Sequence, residues 1–445
     1  MRVHAFRAMA VLTLIILTTT VFLNLTQALA ETAASEVPAS VRIVLNDVSR
    51  LLDQKQYDRA IAQLRAFQSR GGPEPAGGAS GSDAHHHPMI YFALGNCYLL
   101  QERYPQAQKA FALVTVCRPE MVPAWLNLAK ACYEGGQPVQ AAQHFAEAYR
   151  RSENKQPEHL YYSAAAYLMA QKYAQAIAAF EQLGQAHASQ IQPVWREHWV
   201  HALLADGQSR RALPHIKALI RLHTGANRIR WQEILLYQYM QLRLYAEAGH
   251  YALALARAAP EETLWWKVLG QIQTAAGNYE KALAALTIYG YLTPLSADEK
   301  KLWADLSLQA GIPGQAAQIY AALLKENQDG HLLKKLVTAY RRIGDPESAL
   351  KQLEQSVHAK TDAELLMLRA DVLYEMKRYA EAMAAYRQAA RGDDARSGRA
   401  WLMAGYAAWQ ANDIAASRQA FERAAGFSPQ RKAALTAVRQ LQAVN

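Results

Sequence analysis

A small residue returns every 33 to 36 positions along most of this chain, and four residues after it comes a bulkier one. No other feature constrains the fold as tightly. The small positions are Ala107, Ala141, Ala176, Ala212, Ala248, Ala282, Ala316, Ala349, Ala382 and Ser417, with Ala60 upstream. The space-fillers are Leu64, Phe111, Phe145, Phe180, Ile216, Leu286, Tyr320, Leu353, Tyr386 and Phe421, and Ala252 is the weak member. A four-residue offset puts both on one face of a helix. Where two helices touch closely only a small side chain fits, and a large one fills the space beside it.

The stretch Tyr91 to Pro119 shows the whole unit. Tyr91, Leu94-Gly95 and Tyr98 share one helix face, a turn follows at Gln101 to Arg103, and Ala107 and Phe111 share a face of a second helix. Pro119 closes the unit, as Pro260, Pro294 and Pro429 close theirs. This order resembles the tetratricopeptide repeat, a helix-turn-helix of about 34 residues. The resemblance implies an all-α superhelix, an α-solenoid of about eleven repeats with a C-terminal capping helix.

The domain reading follows. Residues 1–30 form a signal peptide, with Arg2 and Arg7 ahead of an apolar run and Ala28-Leu29-Ala30 as a small-x-small cleavage site. Cleavage after Ala30 sends the chain to the periplasm of a bacterial envelope. The alternative is an inner-membrane anchor left uncleaved, since the apolar run nears spanning length. Residues 41–69 are a first repeat, 70–88 a flexible Gly/Ser/Pro/His insertion, 89–428 the remaining repeats and 429–445 the cap. The spacing from Ala60 to Ala107 is 47 residues, longer than one repeat by about a third. His85, His86 and His87 end the insertion, and neighbours on a flexible chain set no coordination geometry.

Formal net charge is +10. Losing Arg2 and Arg7 with the leader leaves about +8, which favours acidic partners or surfaces. The cations are scattered through the repeats, as on solvated helix faces. Nucleic acid is a poor partner for an exported chain.

Chemistry is sparse. There is no phosphate loop, nucleophile elbow or His-Glu-x-x-His helix. No catalytic residue, cofactor or metal site is assigned. Glu197, His198 and His201 are the best metal candidates but lack a fourth ligand. Cys97, Cys117 and Cys132 form no C-x-x-C pair, although Cys97 and Cys132 fall on first helices of adjacent repeats and could bridge.

In the family resembled, the first helix of each repeat lines a concave groove. The residues placed there are Phe92, Asn96, Lys130, Tyr133, Tyr161, His201 and Tyr237, then Lys301, Lys334, Arg341, Arg342, Tyr406 and Trp409. Exposed aromatics along such a face would hold a bound segment, and the late cations would face inward together. One class in the family grips a terminal carboxylate with Lys and Asn. Asn96 and Asn127 match its asparagines, but Phe92, Glu158 and Tyr162 stand where its cations would be, so that mode is not expected.

The stretches YLMAQKYAQAI (from Tyr167), YLTPLSADEKKLWADL (from Tyr291) and WLMAGYAAW (from Trp401) are similar to repeat proteins that accompany TonB-type energy-transduction systems. The expected function is therefore a non-catalytic periplasmic scaffold or adaptor for a protein or peptide partner. The alternative is a binding module or accessory subunit for peptidoglycan or anionic cell-surface polysaccharide.

Overall fold

The computed structural model describes residues 37–72, 83–326, 329–357, 362–391 and 395–443. The leader, with its cleavage site, lies outside the described residues, as do 73–82 of the insertion. Among the described residues there are twenty-three α-helices, one short 3-10 turn and no strand. The chain divides into two compact units after Gln238.

In the first unit α1 (Ala39–Asp53) precedes α2 (Tyr57–Ser69), and α3 (Pro88–Leu100) precedes α4 (Tyr104–Cys117). Then come α5 (Val122–Glu134) and α6 (Pro138–Arg151), α7 (Pro157–Met169) and α8 (Tyr173–Ala186), and α9 (Pro193–Ala205) and α10 (Ser209–Leu222). Helix α11 (Gly225–Gln241) runs across the division. The second unit holds α12 (Tyr245–Ala258), α13 (Thr263–Ala275), α14 (Tyr279–Leu292), α15 (Ala297–Gln309) and α16 (Pro313–Glu326). It continues with α17 (Gly330–Ile343), α18 (Pro346–Gln355), α19 (Ala363–Glu375), α20 (Tyr379–Ala389), α21 (Ala395–Gln410) and α22 (Ile414–Ala425). Helix α23 (Arg431–Ala443) comes last. In chain order these are eleven helix pairs and a closing helix, as the spacing of small residues requires.

The turn inside each pair has one solution, used eleven times. Five residues before each small residue the backbone is left-handed, from Lys55 (φ 57°) through Glu102 (59°) and Gly136 (75°) to Asn412 (63°). The next amide then reaches back to a carbonyl near the end of the first helix, as Arg103 N–H does to Tyr98 O at 2.8 Å and Gln137 N–H to Cys132 O at 2.8 Å. This satisfies carbonyls the helix end leaves over. Only Gly136, Gly207, Gly277, Gly311 and Gly344 of the eleven are glycines. The remaining six turns accept the cost of a left-handed side chain.

Packing follows the small-large rule. All eleven small residues are fully buried, and so is Ala252, the filler that looked weak. Phe111 lies against Gly95 so closely that a Cβ there would come within 2.6 Å of its ring. Where the filler is tyrosine, an aspartate on the first helix of the same repeat accepts its hydroxyl: Tyr320 to Asp305 at 2.5 Å, Tyr386 to Asp371 at 2.6 Å. Where the residue sixteen before the small one is tryptophan, its indole N–H can seat on the proline carbonyl that ends the preceding repeat. Trp125 donates to Pro119 O and Trp266 to Pro260 O, both at 2.9 Å.

The histidines at the end of the insertion are built into the junction between α2 and α3 rather than left on a free loop. His85 Nδ1 meets Phe67 O at 2.9 Å and its ring packs on Phe67. His86 pairs with Asp83 at 2.6 Å, and His87, buried, caps α3 by accepting from Met89 N–H. No disulfide joins Cys97, Cys117 or Cys132. Burial pushes Cys97 up to about 12 and Cys132 up to about 11, so both are inert small hydrophobes. No helix among the described residues is long and apolar enough to cross a membrane.

Candidate functional site: the first-helix face

Helices that are not neighbours in sequence approach most closely where first helices of successive repeats meet: α1 with α3, α3 with α5, α7 with α9, and in the second unit α17 with α19. Side chains on this side of one repeat therefore meet those one repeat on.

In the first unit that proximity buries the aromatics expected to be exposed. Phe92 is fully buried and meets Phe111 edge-on at 5.7 Å, so it belongs to the core. Tyr133 and Tyr161 are each more than nine-tenths buried. Tyr161 stacks on Trp195 (5.0 Å, 17°) and on His198 (5.9 Å, 11°), and its hydroxyl meets His198 Nδ1 at 3.1 Å. Lys130 is 7% exposed, and desolvation lowers its pKa while Glu134 opposes that. Asn96, His201 and Tyr237 are half-buried. The strip is a packed seam with polar atoms in it.

Those polar atoms are unevenly matched. Asn127 Nδ2 donates to Asn96 Oδ1 at 2.8 Å. Asn127 Oδ1 and the Tyr133 hydroxyl are buried without a hydrogen-bond partner. Burial also holds the Tyr133 hydroxyl protonated, its pKa raised to about 12. Burial pulls His198 down to about 4, with His201 adding to the effect, so both imidazoles are neutral donors or acceptors near pH 7. Glu197 faces His223 at 2.9 Å while His198 faces Tyr161, which separates the three residues considered for a metal. Among the described residues no group of His, Cys, Asp and Glu is placed to hold one.

In the second unit the cations do not gather. Lys334 sits between Asp362 (3.2 Å) and Glu364 (2.5 Å) of α19. Arg341 forms a two-point bond with Glu375, Nε to Oε2 at 3.0 Å. Arg342 donates to Leu308 O at 2.9 Å, and Lys301 stays half-buried. Lys334 and Arg341 each pair with acids roughly one repeat away in sequence, which neutralises two of the four cations expected to face inward together. Tyr406 and Trp409 pack edge-on against Phe421, at 5.0 and 6.5 Å, within the cluster that receives α23.

Two features escaped the sequence reading. Asn127 was placed only by the carboxylate comparison, although its 31-residue spacing from Asn96 puts the two amides side by side. The acid ladder could have been found by aligning Glu364 and Glu375 with the cations one repeat earlier.

A tetratricopeptide repeat model matches residues 92–155, 334–397 and 384–432, and a second one matches 160–189. No curated protein matches the chain. Similar solved structures include a tetratricopeptide repeat protein of Parabacteroides merdae ATCC 43184, at 14% identity over 56% of this chain and 98% of that one, with a TM-score of 0.34. YrrB, described as a TPR protein with an unusual peptide-binding site, is 17% identical over 42% of this chain and 97% of its own, TM-score 0.34. Yeast Tom70 is 14% identical over 91% and 95%, TM-score 0.30. At these scores the overlays add nothing to the repeat register, which rests on buried small residues, left-handed turns and the matched models. By that register and those matches, the chain belongs to the tetratricopeptide repeat family.

Proposed function

We propose that this protein is a non-catalytic scaffold that binds a protein or peptide partner on the first-helix face of its first unit. The observation that carries the reading is the pair of unpartnered polar atoms there, Asn127 Oδ1 and the Tyr133 hydroxyl, beside the hydrogen bond that Asn127 Nδ2 donates to Asn96 Oδ1. A buried polar atom without a partner costs on the order of 1–3 kcal/mol, and a partner that opens this seam to supply a donor or acceptor recovers that cost. The anionic-polysaccharide alternative is weaker, because Lys334 and Arg341 already hold carboxylates.

The setting is the envelope. It rests on the leader from Arg2 to Ala30 and, for a TonB-type system, on the three stretches quoted above. The mature N-terminus of the exported chain, read by mass spectrometry, tests the first part: Glu31 supports it, and a retained Met1 in the inner-membrane fraction makes the segment an anchor.

The binding face is tested with a photo-crosslinker at Asn96, and at Val116, 75% exposed on α4, as control. Crosslinks in native envelope from position 96 but not 116, reduced severalfold by Tyr133→Phe with helicity intact, support the face. Equal yields from both positions reject it. Tyr133→Phe removes the hydroxyl and leaves the packing, which Tyr133→Ala would not.

A further inference from the structure

Away from the first-helix face, a cavity of about 430 Å³ opens in the second unit between α14 and α16, beside the start of α15. This is within the range of small-ligand pockets, roughly 300–1,000 Å³. Its wall is mostly apolar, with Leu286, Gly290, Leu295, Trp303, Ile319 and Leu323 prominent. Sixteen residues before the small residue, three of the repeats carry tryptophan, as Trp125, Trp266 and Trp401, whereas here the residue is Lys300, exposed to solvent.

The filled version of the site shows what is missing. The Trp125 ring lies against His144 at 5.8 Å, under Arg151 at 5.0 Å, and donates to Pro119 O. The counterparts of His144 and Arg151 in the register are Ile319 and Glu326, and both line the cavity. The counterpart of Pro119 is Pro294, six residues before Lys300 just as Pro119 is six before Trp125. No hydrogen bond to the Pro294 carbonyl is seen among the described residues. By register the cavity lies where three other repeats, those of Trp125, Trp266 and Trp401, carry an indole.

We propose that this cavity receives the indole of a tryptophan carried by a partner polypeptide. Three observations define the chemistry. The positions that flank Trp125 elsewhere line this cavity, with apolar Ile319 in place of His144 and Glu326 in place of Arg151, and no ring lies between them. The rim has one cation, Lys300, and one anion, Glu326, neither in an ion pair among the described residues, so the rim favours no net charge on the occupant. Trp303 in the wall offers an aromatic side chain for an inserted ring to pack against. The lip of the cavity is itself apolar and open, since the lining residue Tyr291 is 86% exposed. A free indole would leave that lip uncovered, whereas a peptide would cover it.

The test uses the full chain and the peptide Ac-Gly-Ser-Trp-Ser-Gly-NH2, its Trp-to-Ala counterpart, and indole alone, titrated by NMR. The tryptophan peptide is expected to bind at least tenfold tighter than the alanine one. Lys300→Trp supplies the ring in cis; it should melt at the same or a higher temperature and lose at least tenfold in affinity. Ala322→Arg, on an exposed position of the mouth, should lose as much without relying on that repacking. The proposal is overturned if the two peptides bind alike, or if either folded variant keeps the affinity. It is also overturned if indole binds and the tryptophan peptide does not, which would make the cavity a small-aromatic site.

Discussion

Adding one methyl group at Gly95, and the same group at Gly270, should move stability in opposite directions. Both glycines follow the leucine of the first helix at the same place in their repeats. A Cβ on Gly95 would lie 2.6 Å from Phe111 Cε1 and 2.8 Å from Cδ1 and Cζ. The Phe111 ring is fully buried and is met edge-on by Phe92, so it has little room to retreat. Overpacking of this kind costs about 1–3 kcal/mol, against a gain of roughly 0.5–1 kcal/mol for alanine over glycine inside a helix. The net for Gly95→Ala is a loss of about 1–2 kcal/mol. At Gly270 the filler is Leu286, and the nearest atom to a new Cβ is Ala282 O at 3.7 Å, an ordinary contact. Only the propensity gain remains, so Gly270→Ala should stabilise by roughly 0.5–1 kcal/mol. A repeat array need not unfold in one step, so the readout is amide exchange in α3–α4 and in α13–α14, with urea melts alongside. Phe111→Leu should relieve the clash and couple to Gly95→Ala by about 1 kcal/mol or more in a double-mutant cycle. Faster exchange in Gly270→Ala, or no coupling at Phe111, would refute the argument.

Other outcomes follow from the same geometry. Asp371→Ala strands the buried Tyr386 hydroxyl and should cost on the order of 1–3 kcal/mol, more than Tyr386→Phe, as urea melts would show. Gly136→Ala should cost about 1 kcal/mol at its left-handed turn, while Glu102→Gly should be neutral or slightly stabilising. Burial, with neighbouring positive charge adding to it, lowers His198 and His215 from 6.5 to about 4. The unfolded chain then binds the extra protons, so stability from these groups is complete above pH 6.5 and is lost as pH falls toward 4. Protection of amides in α9 and α10, corrected for the intrinsic exchange rate at each pH, should fall over that window, and His198→Gln with His215→Gln should flatten the change.

Much of the fold was readable because each repeat solves a local problem. A small residue opposite a large one at fixed spacing is needed wherever two short helices cross, so Ala107 with Phe111 and Ala382 with Tyr386 mark their own pairs. The left-handed turn was legible only where glycine marks it; at Glu102 or Arg243 the side chain hides a conformation forced by the helices on either side. The candidate face was read less well. Its residues were found, but exposure was not, because that depends on how near the next first helix comes. Phe92 is at a position open to a groove by family pattern, yet it fills the core; Arg341 is a cation by sequence and one half of a bond with Glu375 by structure.

The sequence by itself determined the class, the number of helix pairs, their order and the residues at each crossing, since all of these depend on contacts within about one repeat. Tertiary structure decided which polar atoms stay unmatched, as at Asn127 and Tyr133, which glycine tolerates a methyl group, and that an apolar cavity of about 430 Å³ opens beside Lys300. These depend on distances of a few tenths of an ångström between side chains from different repeats, and periodicity fixes the positions of those side chains only to within a helix face.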